Sequence, residues 1–79
     1  MKETKFVYVT RETRMNDLFP VKTSMEAAIS MVMQRALIFD QSVQQINFDH
    51  DQVEILLHDD SFHEFVTYQI DRVVLHEGF

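Results

Sequence analysis

Residues 23–40 read TSMEAAISMVMQRALIFD, and this stretch decides the fold class of the chain. Thr23, followed three residues later by Glu26, has the spacing of a capping box, in which a hydroxyl and a carboxylate satisfy unpaired backbone amides at the start of a helix. At about 100° per residue, one stripe of this helix is apolar throughout. The stripe consists of Met25, Ala28, Ile29, Val32, Ala36 and Phe39. The stretch therefore predicts one helix, ending near Asp40, that packs this stripe against a core.

A second apolar row lies on the far side of the same helix and consists of Ala27, Met31 and Ile38. A helix that is buried on one side only carries polar residues in that position. An exposed apolar row marks a contact with another protein, whereas a covering loop from residues 12–22 would make the row part of the core. The row therefore predicts self-association unless this loop covers it.

Strand patterns lie on both sides of the helix. Residues 4–11 are rich in β-branched and aromatic side chains, which favours a first strand. After Gln41, apolar and polar residues alternate through three further segments, with turns predicted at residues 49–51 and 59–60. Ile46 and Phe48 are predicted to share one face of their strand, and Val53, Ile55 and Leu57 one face of the next. In the third segment, Val66, Tyr68 and Ile70 are predicted to point inward. Residues 73–75 either continue the last strand or form a short fifth one.

These elements predict an α+β fold with the order βαβββ(β), in which one helix packs on a mainly antiparallel sheet. A chain of 79 residues has room for one domain, covering residues 1–79, with one modest core. Domains of this size often gain part of their stability from disulfides, metals or oligomerisation. The chain has no cysteine, which excludes disulfides and thiolate zinc sites and is typical of a reducing compartment.

The negative charge is concentrated in the second half of the chain. Residues 1–39 hold six Lys or Arg and four Asp or Glu, whereas residues 40–79 hold one Arg and nine Asp or Glu. The negative electrostatic potential of the second half repels phosphates. It therefore disfavours direct binding of nucleic acid and favours a basic partner. An acidic sheet face built from Glu54, Asp59 and Asp60 would mimic phosphate, as in small inhibitors of nucleic-acid-binding proteins encoded by phages and mobile elements.

The four histidines include a cluster with acidic neighbours, and its candidate metal ligands are His50, His58, Asp60 and His63. Imidazole and carboxylate groups are suitable ligands for Zn²⁺, Ni²⁺ or Mn²⁺. The spacing of these residues fits solvated turns better than it fits a converging ligand set. We therefore predict no metal site and keep metal or small-ligand binding as a third hypothesis.

Several features disfavour enzymatic activity. Gly78 is the only glycine, which removes Gly-rich phosphate loops and dinucleotide fingerprints, and no serine lies in a nucleophile motif. We therefore predict that the chain is not an enzyme and holds no cofactor. The N-terminal residues mix charges into their first half, unlike a signal peptide, and no apolar stretch reaches the roughly 20 residues that span a bilayer. These features predict a cytoplasmic protein without a membrane anchor.

The leading functional hypothesis is a small acidic, non-catalytic protein-interaction module that forms a homodimer or a subunit of a larger assembly. Its predicted interaction residues are Ala27, Met31, Ile38, Glu54, Asp59 and Asp60. The acidic inhibitor and the metal or small-ligand domain are the two alternatives.

Overall fold

The computed structural model describes residues 5–14 and 17–75. The elements in chain order are β1 (Lys5–Glu12), β2 (Asp17–Leu18), α1 (Met25–Ile38), β3 (Gln41–Asp49), β4 (Gln52–Asp59) and β5 (Glu64–Leu75). All these strands join one antiparallel sheet in the order β2-β1-β5-β4-β3. The helix packs on one face of the sheet, so the predicted α+β fold is confirmed.

The start of the helix differs from the capping-box prediction by one residue. Ser24, not Thr23, is the N-cap, and its hydroxyl accepts a hydrogen bond from the Ala27 amide at 3.1 Å. A capping box requires Glu or Gln three residues after the cap, but the residue three positions after Ser24 is Ala27. Its methyl group cannot accept a hydrogen bond from the backbone amide of Ser24. The predicted Thr23–Glu26 box is wrong because extended backbone at Ser24 places that hydroxyl, rather than the Thr23 hydroxyl, over the free amides.

This correction gives a first prediction. Ser24→Ala should reduce the free energy of unfolding by about 1 kcal/mol, the usual cost of losing an N-cap hydroxyl. Thr23→Ala removes the same chemical group one residue earlier and should have little effect. Urea denaturation of the two variants measures the difference, and equal losses in both would contradict the assignment of the cap.

The core lies between α1 and the middle of the sheet. Val53, Ile55 and Leu57 of β4 point toward the helix, as their alternation predicted. They pair with inward-facing residues of β5, and the cross-strand pairs are Val53 with Ile70, Ile55 with Tyr68, and Leu57 with Val66. The helix contributes the buried side chains of Ala28, Val32 and Ala36, whose small size allows it to lie close to the sheet.

Phe39 does not join this core, although the helical stripe predicted that it would. The helix ends at Ile38, and Phe39 is its C-cap. Asp40 then has a φ of 57°, a left-handed conformation that turns the chain into β3. The helical period stops before Phe39, so about half of its side chain stays exposed.

The sheet extends further than its sequence pattern indicated. Residues 12–22, predicted as a loop, contain β2, and Tyr8 and Lys22 exchange two backbone hydrogen bonds of 2.8 and 3.1 Å. At the other end, β5 continues through Asp71 to Leu75 without a break. Asp71 fits within the strand because its carboxylate accepts hydrogen bonds from Gln52 and Gln69, both of which share its outward face.

Candidate functional site

The predicted second apolar row of the helix lies beside a groove. Met31 and Ile38 line this groove, which has a volume of about 360 Å³, together with Phe19 and Pro20 of the preceding loop. Ala27 and Met31 are half-buried, whereas Ile38 remains 76% exposed. The loop therefore partly covers Met31 and leaves Ile38 in contact with solvent. Met15, another apolar residue of the predicted loop, lies outside the described residues.

A second apolar surface lies on the opposite side of α1, next to β3. Leu37 is 82% exposed and lies one turn after Met33, on the side of the helix that is turned away from the groove. Val43 and Phe48 of β3 face the same side of the sheet as the helix, and Phe48 is 70% exposed. We call the surface formed by Leu37, Val43 and Phe48 the β3 flank.

The strand β3 is itself an edge of the sheet, because it pairs only with β4 among the described strands. Its residues 41–48 carry no charged side chain, and Asp49 at its end is the first acid. Natural edge strands commonly carry lysine, proline or an inward-pointing charge that prevents pairing with another chain. Residues 41–48 carry no such side chain, and the pairing of β3 with β4 shifts register between Val43 and Gln45, where β3 bulges.

The acidic candidates do not share one surface. Asp59 points to the helix side of the sheet and is only 4% exposed, whereas Glu54 is exposed on the opposite side. Asp60 is exposed in the next turn, and its carboxylate lies 2.8 Å from Nδ1 of His58. Asp51, at the other end of β4, forms an ion pair with Arg72. Within residues 5–14 and 17–75, the acids therefore separate into two ends and two faces.

The histidine candidates are also separated. His50 lies in the turn between β3 and β4, whereas His58 and His63 lie at the opposite end of β4. Of the four predicted ligands, the structure brings together only His58 and Asp60. His63 has a φ of 53° and closes the turn before β5. No group of three or more potential ligands converges in the described part of the chain.

The structure contains a polar cavity that sequence reasoning missed. It has a volume of about 210 Å³ and lies where β1 and β4 end and β3 begins. We call it the polar cavity, and its lining residues are Glu12, Arg14, Arg35, Phe39, Gln41, Asp59 and Phe62. One of its residues, Glu12, could have been found from the sequence. Side chains alternate along β1, so Glu12 faces the helix, as Tyr8 and Thr10 do. The predicted strand ended at residue 11, one residue too early to show this.

Hydrogen bonds fix Asp59 at the floor of the polar cavity. One carboxylate oxygen accepts from the backbone amides of Ser61 and Phe62, and the other accepts from Nε2 of Gln41 at 3.2 Å. The hydrogen bond from Gln41 is the largest cause that lowers the pKa of Asp59 below its ordinary value, against an opposing contribution from desolvation. The two amides and the positive charge of Arg14 lower it further. Asp59 is therefore an ionised acceptor at neutral pH.

Arg35 closes the side of the polar cavity that adjoins the groove. Its Nε donates to the Tyr68 hydroxyl at 3.2 Å, and its guanidinium lies over the rings of Phe19 and Phe39 at 4.7 and 4.8 Å. Desolvation is the main cause that raises the pKa of Tyr68, so its hydroxyl stays protonated. The arginine is thus held in place by aromatic contacts and a neutral hydroxyl.

Comparison with known proteins gives this chain no family. No protein-family model, curated protein or solved structure matches it. No helix within the described residues is long and apolar enough to cross a membrane. Function is therefore inferred from the β3 flank, the groove and the polar cavity themselves.

Proposed function

We propose that this chain is a non-catalytic protein-interaction module that self-associates by pairing the β3 edges of two copies. The proposal rests on β3, an edge strand whose residues 41–48 carry no charge. Phe48 of this strand and Leu37 of the neighbouring helix both expose large apolar side chains. Unpaired amide and carbonyl groups along an edge form hydrogen bonds with a second strand, and the apolar flank adds buried area. The second copy completes a sheet that continues across both molecules.

The charge pattern of β3 supports a second copy as the occupant. Antiparallel pairing around a twofold axis at Gln45 places Gln41 of one copy opposite Asp49 of the other, so no two acids face each other directly. The same arrangement places Leu37 beside the partner's β3 strand. The small core gives a further reason, since domains of this size often gain stability by oligomerisation.

The test compares Leu37 and Ile38, two adjacent residues of α1 that are similarly exposed but are about 100° apart around the helix, with only Ile38 on the groove. Leu37→Glu places a carboxylate in the proposed contact, where burying it is costly, so the variant should be monomeric. Ile38→Glu adds the same charge on the groove side and should keep the mass of the wild type. Light scattering after size exclusion, at micromolar concentration and about 150 mM salt, should give twice the 9.4 kDa mass of one chain for the wild type.

A second variant locates the contact along the strand. Phe48 lies five residues after Val43, about 16 Å further along β3, and Phe48→Glu should also disrupt the dimer if the whole edge takes part. Raising the salt should strengthen association, because screening reduces repulsion between two chains of net charge −6. A monomeric wild type at all concentrations would refute the proposal. If only Ile38→Glu were monomeric, the dimer contact would be assigned to the row Ala27, Met31 and Ile38 instead of β3.

The two alternative functions have less support from the geometry. A phosphate mimic needs a continuous acidic surface, whereas Asp59 is buried and Glu54 lies on the other face of the sheet. Metal binding needs convergent ligands, and His50 lies at the far end of the sheet from His58. The absence of catalysis and the cytoplasmic location stay predictions.

A further inference from the structure

The polar cavity contains two buried acceptor atoms whose hydrogen-bonding capacity is unused. Glu12 is only 3% exposed, and its Oε1 accepts no hydrogen bond within the described structure. Nε of Arg14 approaches this oxygen to 3.2 Å, in an orientation that forms an ion pair without a hydrogen bond. Oε1 of Gln41 is the second such acceptor, and Gln41 is also a lining residue of the cavity. Buried acceptors without a donor are costly, so a ligand that supplies donors would be bound favourably.

The orientation of the Gln41 amide is determined by its neighbour. Asp59 is ionised and offers only acceptors, so Gln41 must turn its Nε2 toward the carboxylate. Its Oε1 is thereby directed away from Asp59. The two unused atoms of the cavity, Oε1 of Glu12 and Oε1 of Gln41, are therefore both acceptors, which selects a ligand with at least two N–H donors.

The surroundings favour a ligand that carries a positive charge. One of the two acceptors is a carboxylate, and exposed acids lie beside the cavity at Asp40, Asp60 and Glu64. Arg14 is engaged with Glu12 and Glu64, with nitrogen to oxygen distances of 3.2 and 3.6 Å. The positive charge of Arg14 is therefore compensated by these two acids. Arg35 also lines the cavity, and its single positive charge is outweighed by the three remaining acids, Asp40, Asp59 and Asp60.

The walls and the size of the polar cavity favour a flat group. Phe39 and Phe62 line it, and because the Arg35 guanidinium already lies over the Phe39 ring, the exposed Phe62 ring is the one accessible to a further cation. The volume of about 210 Å³ is below that of most drug-sized sites, which begin at roughly 300 Å³. An amidinium or guanidinium group is planar, presents parallel N–H donors and is small enough to enter.

We propose that the polar cavity binds an amidinium or guanidinium group through Oε1 of Glu12 and Oε1 of Gln41, with the ring of Phe62 against one of its faces. The group is supplied either by a free guanidine compound or by an arginine side chain of another polypeptide. This binding activity goes beyond the proposed self-association and does not depend on it.

The probe that tests the proposal is benzamidine, an aromatic amidinium, with neutral benzamide as the matched control. Each is titrated into ¹⁵N-labelled protein, and amide shifts are followed by NMR at about 150 mM salt. Benzamidine should cause saturable shifts at Glu12, Gln41, Ser61 and Phe62, with an affinity at least tenfold higher than that of benzamide. Equal affinities, or no saturable shift with benzamidine, would refute the proposal whatever the variants do.

Charge-neutral variants identify the acceptor. Glu12→Gln should weaken benzamidine at least tenfold, because it removes the carboxylate and leaves a similar shape. Glu54→Gln removes the same charge from the opposite face of the sheet and should change the affinity by less than twofold. If Glu12→Gln does not fold, Gln41→Met tests the second acceptor and should also weaken binding. Unchanged affinity in whichever of these variants folds would overturn the assignment.

Two further titrations distinguish the sources of the group. Agmatine represents a free guanidine compound, and arginine capped at both ends represents a side chain within a polypeptide. Preference for the capped arginine indicates a protein partner, and preference for agmatine indicates a small molecule. Repeating the benzamidine titration with the Leu37→Glu variant separates the two proposals, because binding to this variant should equal that of the wild type even if self-association is lost.

Discussion

Tyr68→Ala is expected to leave most of the chain unfolded at 25 °C. Tyr68 is almost fully buried at the centre of β5, pairs with Ile55 and packs against the ring of Phe19 at 5.6 Å. Truncating a buried aromatic residue to alanine costs about 3–5 kcal/mol. A core of this size provides only about 3–5 kcal/mol of net stability, so the loss is comparable to the whole. Circular dichroism and urea denaturation measure the result.

The controls for this prediction come from the same strand and the same site. Phe65→Ala also removes a large aromatic side chain from β5, but Phe65 lies on the opposite face and is mostly exposed, so the loss should be small. Tyr68→Phe keeps the ring and removes the hydroxyl that accepts from Arg35, so it should fold with reduced stability. A folded Tyr68→Ala variant as stable as Phe65→Ala would contradict the described core.

The centre of the fold could be predicted because local pattern and tertiary packing agree there. The alternation of Val53, Ile55 and Leu57 identifies the buried face of β4 without any knowledge of its neighbours. The same is true of α1, whose interior positions recur with the helical period until Ile38. The prediction continued this period one residue beyond the end of the helix and therefore assigned Phe39 to a core that it does not enter.

The candidate surfaces were harder to predict because they depend on which elements are adjacent. Leu37 and Ile38 are neighbours in the chain, and only the positions of β3 and Phe19 show that they belong to different surfaces. The polar cavity joins Glu12 of β1 to Asp59 of β4, two residues from strands that are separated by β5 in the sheet. No spacing in the sequence indicates that these two residues line the same cavity. Asp59 was predicted, together with Asp60, as a turn residue that faces water, whereas it is the buried last residue of β4.

Asp59 and Asp60 give the last prediction, since these neighbouring aspartates differ in burial and in hydrogen bonding. Asp59→Asn removes the ionised acceptor that Gln41 and two backbone amides share, so it should lower the melting temperature clearly at pH 7. Asp60→Asn removes an exposed carboxylate whose described partner is His58, and should lower it little.

The same pair predicts how stability depends on pH. The folded state lowers the pKa of Asp59, so the stabilisation is fully present above the unfolded pKa of about 4 and is lost as pH falls through the folded value. The wild type should therefore lose stability steeply below about pH 4. Asp59→Asn has no carboxylate to protonate there and should show a shallower decline, whereas Asp60→Asn should follow the wild type. The pH dependence of the three proteins is compared by recording their melting temperatures from pH 7 to pH 2.5. Parallel curves for the wild type and Asp59→Asn would show that the Asp59 carboxylate does not control stability in acid.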